Sequence, residues 1–133
     1  MSTVEMVLFL IIGYVVTTAI EGPVLYFGLS DRISRSDRIT YGLLLTAFTY
    51  PVVVIVLPTI FSMAGLTSRA LFLVIAETFA PVAEVLLFRF VSNQNLFRRP
   101  DRDAFVIVFA NLASFILGEA FLSELIFRLI QQI

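Results

Sequence analysis

Hydrophobic residues fill four long stretches of this chain, and short polar segments separate them. A helix rises about 1.5 Å per residue, so about 20 consecutive apolar residues cross the hydrocarbon core of a bilayer. The pattern predicts four transmembrane helices, at approximately Val4–Leu29, Ile39–Ala64, Arg69–Val91 and Ala104–Ile130. No stretch remains for a soluble domain, and we expect a single all-α, polytopic membrane domain over residues 1–133.

Composition supports the bilayer as the solvent and narrows the chemistry. Hydrophobic residues make up 59% of the chain and charged residues 14%, whereas soluble domains are roughly a quarter charged. No basic stripe suggests nucleic acid as a partner. His and Cys are absent, which removes the commonest metal ligand, the usual near-neutral base and every thiolate site. No nucleophile-elbow or phosphate-loop motif is present, so we do not expect an enzyme.

The arginines are distributed unevenly between the two ends of the predicted helices. Two of them, Arg69 and Arg128, belong to one end. The other end holds seven, in or beside segments 30–38 and 92–103: Arg32, Arg35, Arg38, Arg89, Arg98, Arg99 and Arg102. Because cytoplasmic loops are enriched in basic residues, we predict that both segments are cytoplasmic in a cell (inner) membrane protein. Both termini would then lie outside.

The two halves of the chain, 1–66 and 67–133, read as two similar helical hairpins. "DRITY" opens the second predicted helix and "DRDAF" opens the fourth. Further along, "TAFTY" (46–50) parallels "NLASF" (111–115), with a polar residue, two spacers, a hydroxyl and an aromatic ring. An internal duplication explains this likeness. The alternative is that Asp-Arg before a helix reflects ordinary capping and charge bias.

Polar residues within the spans fall into layers. Glu77 and Glu84 are seven residues apart in "VIAETFAPVAEVLLF", so they share one helix face. One predicted layer lies about 12 Å from the cytoplasmic helix ends and contains Glu21, Thr46, Glu84 and Asn111. Glu77 and Glu119 form a second layer nearer the outside. Helical phase adds Thr49, Tyr50 and Ser114 to the same polar faces, which we expect to meet inside the bundle.

These glutamates lie where a charged side chain is costly, so each needs a partner or a proton. An ionised carboxylate near the bilayer centre costs at least about 2.5–3.5 kcal/mol. Glu124 has Arg128 one turn later, but the other four glutamates have no cation at their depth in their own span. They can be neutral, share protons with Asn111, Thr46 and Tyr50, or surround a bound ion. An all-oxygen set suits a hard divalent cation, and no metal is specified by the sequence.

The predicted site follows from this reasoning. Its cation- or proton-binding residues are Glu21, Glu77, Glu84, Asn111 and Glu119, supported by Thr46, Thr49, Tyr50 and Ser114. The function hypothesis is a transport or translocation role for a proton or divalent metal, in a homo-oligomer or with other membrane subunits. Two alternatives stay open. The polar groups can be a structural network between helices, or the chain can be a non-catalytic accessory or scaffold subunit of a larger membrane complex.

Short motifs resemble a group of uncharacterised small prokaryotic four-helix membrane proteins. They are E-x-P (Glu21, Pro23), T-Y-P with a later proline (Thr49 to Pro58), E-x6-E (Glu77, Glu84) and N-x-x-S-x-x-x-G (Asn111 to Gly118). The resemblance implies the fold and the choice of residues, and no activity. The small multidrug-resistance transporters are also similar in size and in their helix-1 glutamate, here in "AIEGP", but use one essential glutamate and often a Trp that this chain lacks.

The charge bias yields a topology prediction. A reporter fused after residue 133 should behave as periplasmic, and the same reporter inserted near Gln94 should behave as cytoplasmic. A paired alkaline phosphatase and fluorescent protein assay measures both positions. The reverse pattern would show that the number of spans or the reading of the charge bias is wrong.

Overall fold

The structure, a computed structural model, consists of four helices connected by short loops. It describes the backbone of residues 2–131 and the side chains of residues 2–121. The helices are α1 (Thr3–Gly28), α2 (Arg35–Met63), α3 (Arg69–Val91) and α4 (Arg102–Gln131). Each is long and apolar enough to cross a membrane, which confirms the all-α, four-span prediction at that level.

Side-chain caps begin α2 and α4 earlier than hydropathy predicts. Ser34 Oγ accepts a hydrogen bond from the Asp37 amide at 3.1 Å. Asp101 Oδ1 accepts one from the Ala104 amide at 3.0 Å. Such caps satisfy amides that have no partner within the helix, so charged residues form the first turns. The predicted loops 30–38 and 92–103 are therefore too long, and the connections are residues 29–34 and 92–101.

Helix α2 changes its hydrogen-bonding pattern between two prolines. It is α-helical over Arg35–Pro51, π-helical over Val52–Val56 and α-helical again over Leu57–Met63. Pro51 and Pro58 each lack the amide that an α-helix needs, and a wider turn accommodates the loss. Within residues 2–131 the helix type changes only between these two prolines, whereas Pro23 and Pro81 lie within uninterrupted α-helices.

The helices form a ring in which α1 and α3 each pack against both α2 and α4. Below, the "loop end" is the end with connections 29–34 and 92–101, and the "turn end" is the end with residue 3 and the 64–68 turn. An apolar core fills the loop-end half of the ring, with Leu25, Leu45, Phe88 and Ile107 each contributed by a different helix. This core is fully buried, so it closes the bundle on that side.

Asp103 joins α4 to the α1–α2 connection at the loop end. Its side chain is fully buried and accepts hydrogen bonds from the Ser30 amide at 2.7 Å and the Ser30 hydroxyl at 2.9 Å. Arg32 Nη2 adds an ion pair at 3.3 Å. The first turn of α4 is thereby fastened to the end of α1.

Two arginines order the connections through backbone carbonyls. Arg38 donates to the carbonyls of Tyr26, Ser30 and Ile33 at 2.7–3.0 Å. Buried Arg89 donates to the carbonyls of residues 96, 98 and 99 at 2.7–3.1 Å. These two arginines, both part of the predicted cytoplasmic charge bias, therefore also hold the connections in place. Each satisfies carbonyls in a connection or in the last turn of α1, which have no partner within a helix.

The Asp103 contacts predict a specific loss of stability. Asp103→Ala should lower the free energy of unfolding by about 2 kcal/mol, because hydrogen bonds to a buried charged group are among the stronger ones. Thermal unfolding of the detergent-solubilised protein measures the effect. Asp31→Ala is the matched control, since Asp31 is fully exposed and only pairs with Arg38 at 3.6 Å. Equal melting temperatures for the two variants would contradict the assigned role.

Candidate functional site

Glu21 of α1 is 2% exposed and has a hydrogen-bond donor at each carboxyl oxygen. The Thr46 hydroxyl of α2 lies 2.8 Å from Oε2. The Ser114 hydroxyl of α4 lies 2.6 Å from Oε1. The carboxyl group is thus held by hydroxyls from the two helices that flank α1.

Glu84 of α3 is 1% exposed and has the corresponding arrangement. The Asn111 side-chain amide of α4 donates to Oε2 at 2.7 Å. The Thr49 hydroxyl of α2 lies 2.6 Å from Oε1. Each carboxyl group therefore has one partner on α2 and one on α4, and all four helices meet at this level of the bundle.

The four partners are distributed symmetrically between the two carboxyl groups. Thr46 and Asn111 begin the parallel segments "TAFTY" and "NLASF", and each bonds the glutamate of the helix that precedes its own. Thr49 and Ser114 lie three residues later in the same segments, and each bonds the glutamate on the opposite side. Corresponding residues thus make corresponding bonds, and the two carboxyl groups are surrounded by an approximately two-fold set of donors.

Each of the three hydroxyls also has a second acceptor. Thr46 Oγ1 is 3.1 Å from the Gly42 carbonyl and Thr49 Oγ1 is 3.0 Å from the Leu45 carbonyl. Ser114 Oγ is 2.9 Å from the Asn111 carbonyl. A hydroxyl has one proton and two lone pairs. It can donate to an ionised carboxylate, or accept from a protonated carboxyl group and donate to the backbone carbonyl, without any change in heavy-atom positions.

A cavity of about 140 Å³ adjoins the carboxyl groups. Besides these groups and their partners, it is lined by Thr17, Tyr50, Val53, Val54, Ala76, Glu77, Ala80 and Phe115. On every helix these additional residues lie on the turn-end side of the carboxyl groups. The apolar core lies on the other side, so Glu21 and Glu84 lie between the cavity and the closed half of the bundle.

The other predicted site residues occupy different positions. Half-buried Glu77 and Tyr50 line the cavity. Glu119 does not line it: its side chain is exposed and pairs with Arg69 of α3 at 3.2 Å. The sequence predicts no cation for Glu119 within its own span, and the cation that it pairs with belongs to another helix. The predicted Glu124–Arg128 pair lies outside the side chains that the structure describes.

Gly13 is a contributor that the sequence reasoning missed. A Cβ atom built on Gly13 would lie 1.7 Å from the Tyr50 hydroxyl oxygen, so only glycine leaves room for this ring beside α1. Tyr14 supports the same ring by an edge-on contact, with centroids 6.4 Å apart. A glycine within an apolar helix, two turns before Glu21, was the available signal.

The described side chains favour no metal site. Within residues 2–121, no three side chains of the His, Cys, Asp and Glu types converge to hold an ion. The groups directed at the two carboxyls are three hydroxyls and an amide N–H, and in this arrangement each donates its proton to a carboxyl oxygen.

Comparison with protein families, curated proteins and solved structures finds no match for this chain.

The assignment of two donors to each carboxyl group predicts a pattern of energetic coupling between mutations. Thr46→Val and Ser114→Ala remove the two partners of one carboxyl group, so their effects on stability should be coupled by more than about 0.5 kcal/mol. Thr49→Val and Ser114→Ala act on different carboxyl groups, so their coupling should be smaller than that of the first pair. Double-mutant cycles of unfolding in detergent measure both. Equal coupling in the two cycles would refute the partner assignment.

Proposed function

We propose that this protein is a small multi-pass membrane protein in which Glu21 and Glu84 bind and release protons as part of a transport process. The observation that carries the proposal is the donor set around the two buried carboxyls. Each carboxyl group has two side-chain partners, and all four partners also contact a backbone carbonyl. For the three hydroxyls, which have a single proton, that carbonyl is an alternative acceptor. Such a site accommodates a carboxyl group in either protonation state, which a proton carrier requires.

A proton fits this site better than a divalent metal. Mg²⁺ and Ca²⁺ require about six or more oxygen ligands, whereas the oxygens of Glu21 and Glu84 already face hydroxyl and amide donors. In the sequence-based hypothesis the two ions were equal candidates. The absence of a third converging acidic side chain within residues 2–121 favours the proton.

Access to the site is proposed from the turn end. The cavity extends from the carboxyl groups toward that end, with Glu77 as a further acceptor along it. The core of Leu25, Leu45, Phe88 and Ile107 blocks the loop end. With the loops in the cytoplasm, as the arginine bias indicates, the carboxyl pair faces the outside. Transfer to the cytoplasm would then require the two halves of the bundle to move relative to each other.

The hydrogen bonds between the two halves of the bundle suggest how such a movement is coupled to protonation. If α1–α2 and α3–α4 are two duplicated hairpins, as the parallel segments suggest, Thr49 and Ser114 form the bonds that cross between them. A hydroxyl donates strongly to a charged carboxylate and less strongly to a neutral one. Protonation of both carboxyl groups would replace the two charge-assisted crossing bonds with weaker bonds between neutral groups and loosen the contact between the hairpins. A homo-oligomer or other membrane subunits would complete the pathway.

Proton flux tests this proposal. In liposomes with an internal pH dye and a valinomycin-imposed potential, the purified protein should acidify the lumen. Glu21→Gln and Glu84→Gln should each reduce the rate at least tenfold, because Gln retains shape and hydrogen bonding but carries no exchangeable acid proton. Glu5→Gln is the matched control, since Glu5 lies in an exposed capping box that Gln also satisfies.

The same experiment separates the alternative functions. A Glu77→Gln, Glu84→Gln double variant that folds, assembles and conducts like the parent would refute the proton role. The accessory-subunit hypothesis would then be preferred, and the carboxyls would be a structural network. Loss of stability by that variant should not exceed a few times the ~0.6 kcal/mol typical of an interhelical hydrogen bond.

A further inference from the structure

The outer surface of the bundle has a groove between α1 and α4 at the loop end. Its volume is about 810 Å³. Phe27, Phe105 and Phe109 line it and are 79%, 67% and 63% exposed. Three aromatic rings exposed to this extent on one face require an apolar neighbour, which a lipid acyl chain supplies.

Glycine allows the two helices to approach at the floor of this groove. A Cβ atom built on Gly28 would lie 2.6 Å from Val106 Cγ1, closer than side chains normally approach. The contact between Gly28 and Val106 therefore keeps α1 and α4 tightly packed, and the three phenylalanines stand as ridges around a shallow channel.

Arg102 lies at the mouth of the groove, at the first residue of α4. Its Nε donates to the Gly28 carbonyl at 3.1 Å, which fixes the guanidinium group beside the channel. The neighbouring aspartates bind elsewhere: Asp103 faces Ser30 and Arg32, and Asp101 faces Arg32 and Arg98. Within the described part of the chain, Arg102 has no acidic partner, and its side chain is exposed.

The spacing of these groups matches a membrane lipid. Phe105 and Phe109 follow Arg102 by three and seven residues, which places them about 5 and 10 Å deeper along the helix. A guanidinium group binds a phosphate through two parallel hydrogen bonds. A cation at the start of the span, with apolar surface extending beneath it, is complementary to a phosphate with an attached acyl chain.

A second groove provides an internal comparison. It lies between α1 and α2, has a volume of about 320 Å³ and is lined by residues such as Gly22, Tyr26 and Leu43. No charged residue lines it. It can contact acyl chains but has no group that distinguishes one lipid headgroup from another.

We infer that the α1–α4 groove binds one anionic phospholipid, with the phosphate on Arg102 and an acyl chain along Phe105 and Phe109. This site is independent of the carboxyl pair, so it stands whether or not the protein carries protons. Anionic lipid would fasten α1 to α4 at the loop end, on the side of the bundle where Asp103 also joins them.

Native mass spectrometry of the full chain in detergent, with equal amounts of phosphatidylglycerol and phosphatidylcholine, tests the inference. The wild type should retain one phosphatidylglycerol in preference to phosphatidylcholine. Arg102→Gln should reduce that preference about fivefold, the effect of one arginine near an anionic membrane surface. Arg35→Gln is the matched control, because Arg35 is the exposed first residue of α2 and lines neither groove.

Several results would overturn the inference. Equal retention of the two lipids by the wild type would do so without any variant. The inference can therefore be refuted even if Arg102→Gln does not fold. A preference that survives in folded Arg102→Gln, or is lost equally in Arg35→Gln, would assign the effect to overall charge. Competition by inorganic phosphate at the concentration of the lipid would show that the acyl chain is not bound.

Discussion

A carboxyl group inside an apolar bundle must find partners, and this chain provides no cation for Glu21 or Glu84 among its described residues. The partners are instead hydroxyl and amide groups on the neighbouring helices. Each glutamate thereby joins three helices, and the two together join all four. The register of the bundle depends on these hydrogen bonds. Sliding or rotating any one helix would leave a buried carboxyl oxygen without a donor, at a cost of about 1–3 kcal/mol or more.

The Glu21–Glu84 pair lies between two halves of the bundle that differ in packing. Apolar side chains close the loop-end half of the bundle, and the cavity extends only toward the turn end. The carboxyl groups lie at this boundary, and under the proposed function a proton would reach them from the turn end. The π-helical turn of α2 and the close approach of Tyr50 to Gly13 shape the wall of the cavity. Irregular helix geometry thus occurs beside the polar site, whereas the closed half is built from regular helices.

Much of this arrangement follows from the sequence. The four spans are visible in hydropathy, and the bounds of α3 are those predicted. Helical phase and depth correctly placed Glu21, Thr46, Glu84 and Asn111 at one level inside the bundle. Which donor serves which carboxyl group depends on the order of helices around the ring, and one sequence does not specify that order. The ion pair of Glu119 could not be predicted for the same reason, since its cation belongs to another helix. The early starts of α2 and α4 depend on caps that hydropathy does not register.

Infrared titration of the purified protein tests the central claim, that the Glu21–Glu84 pair exchanges protons through the turn-end cavity. The account predicts that the C=O stretching band of protonated carboxyl groups grows as pH falls and shifts rapidly in D2O, before the amides of the closed core exchange. It also predicts that most of this change is lost in the Glu21→Gln, Glu84→Gln variant. A band that stays constant over the whole pH range in which the protein is folded, or is unchanged in the variant, would contradict it.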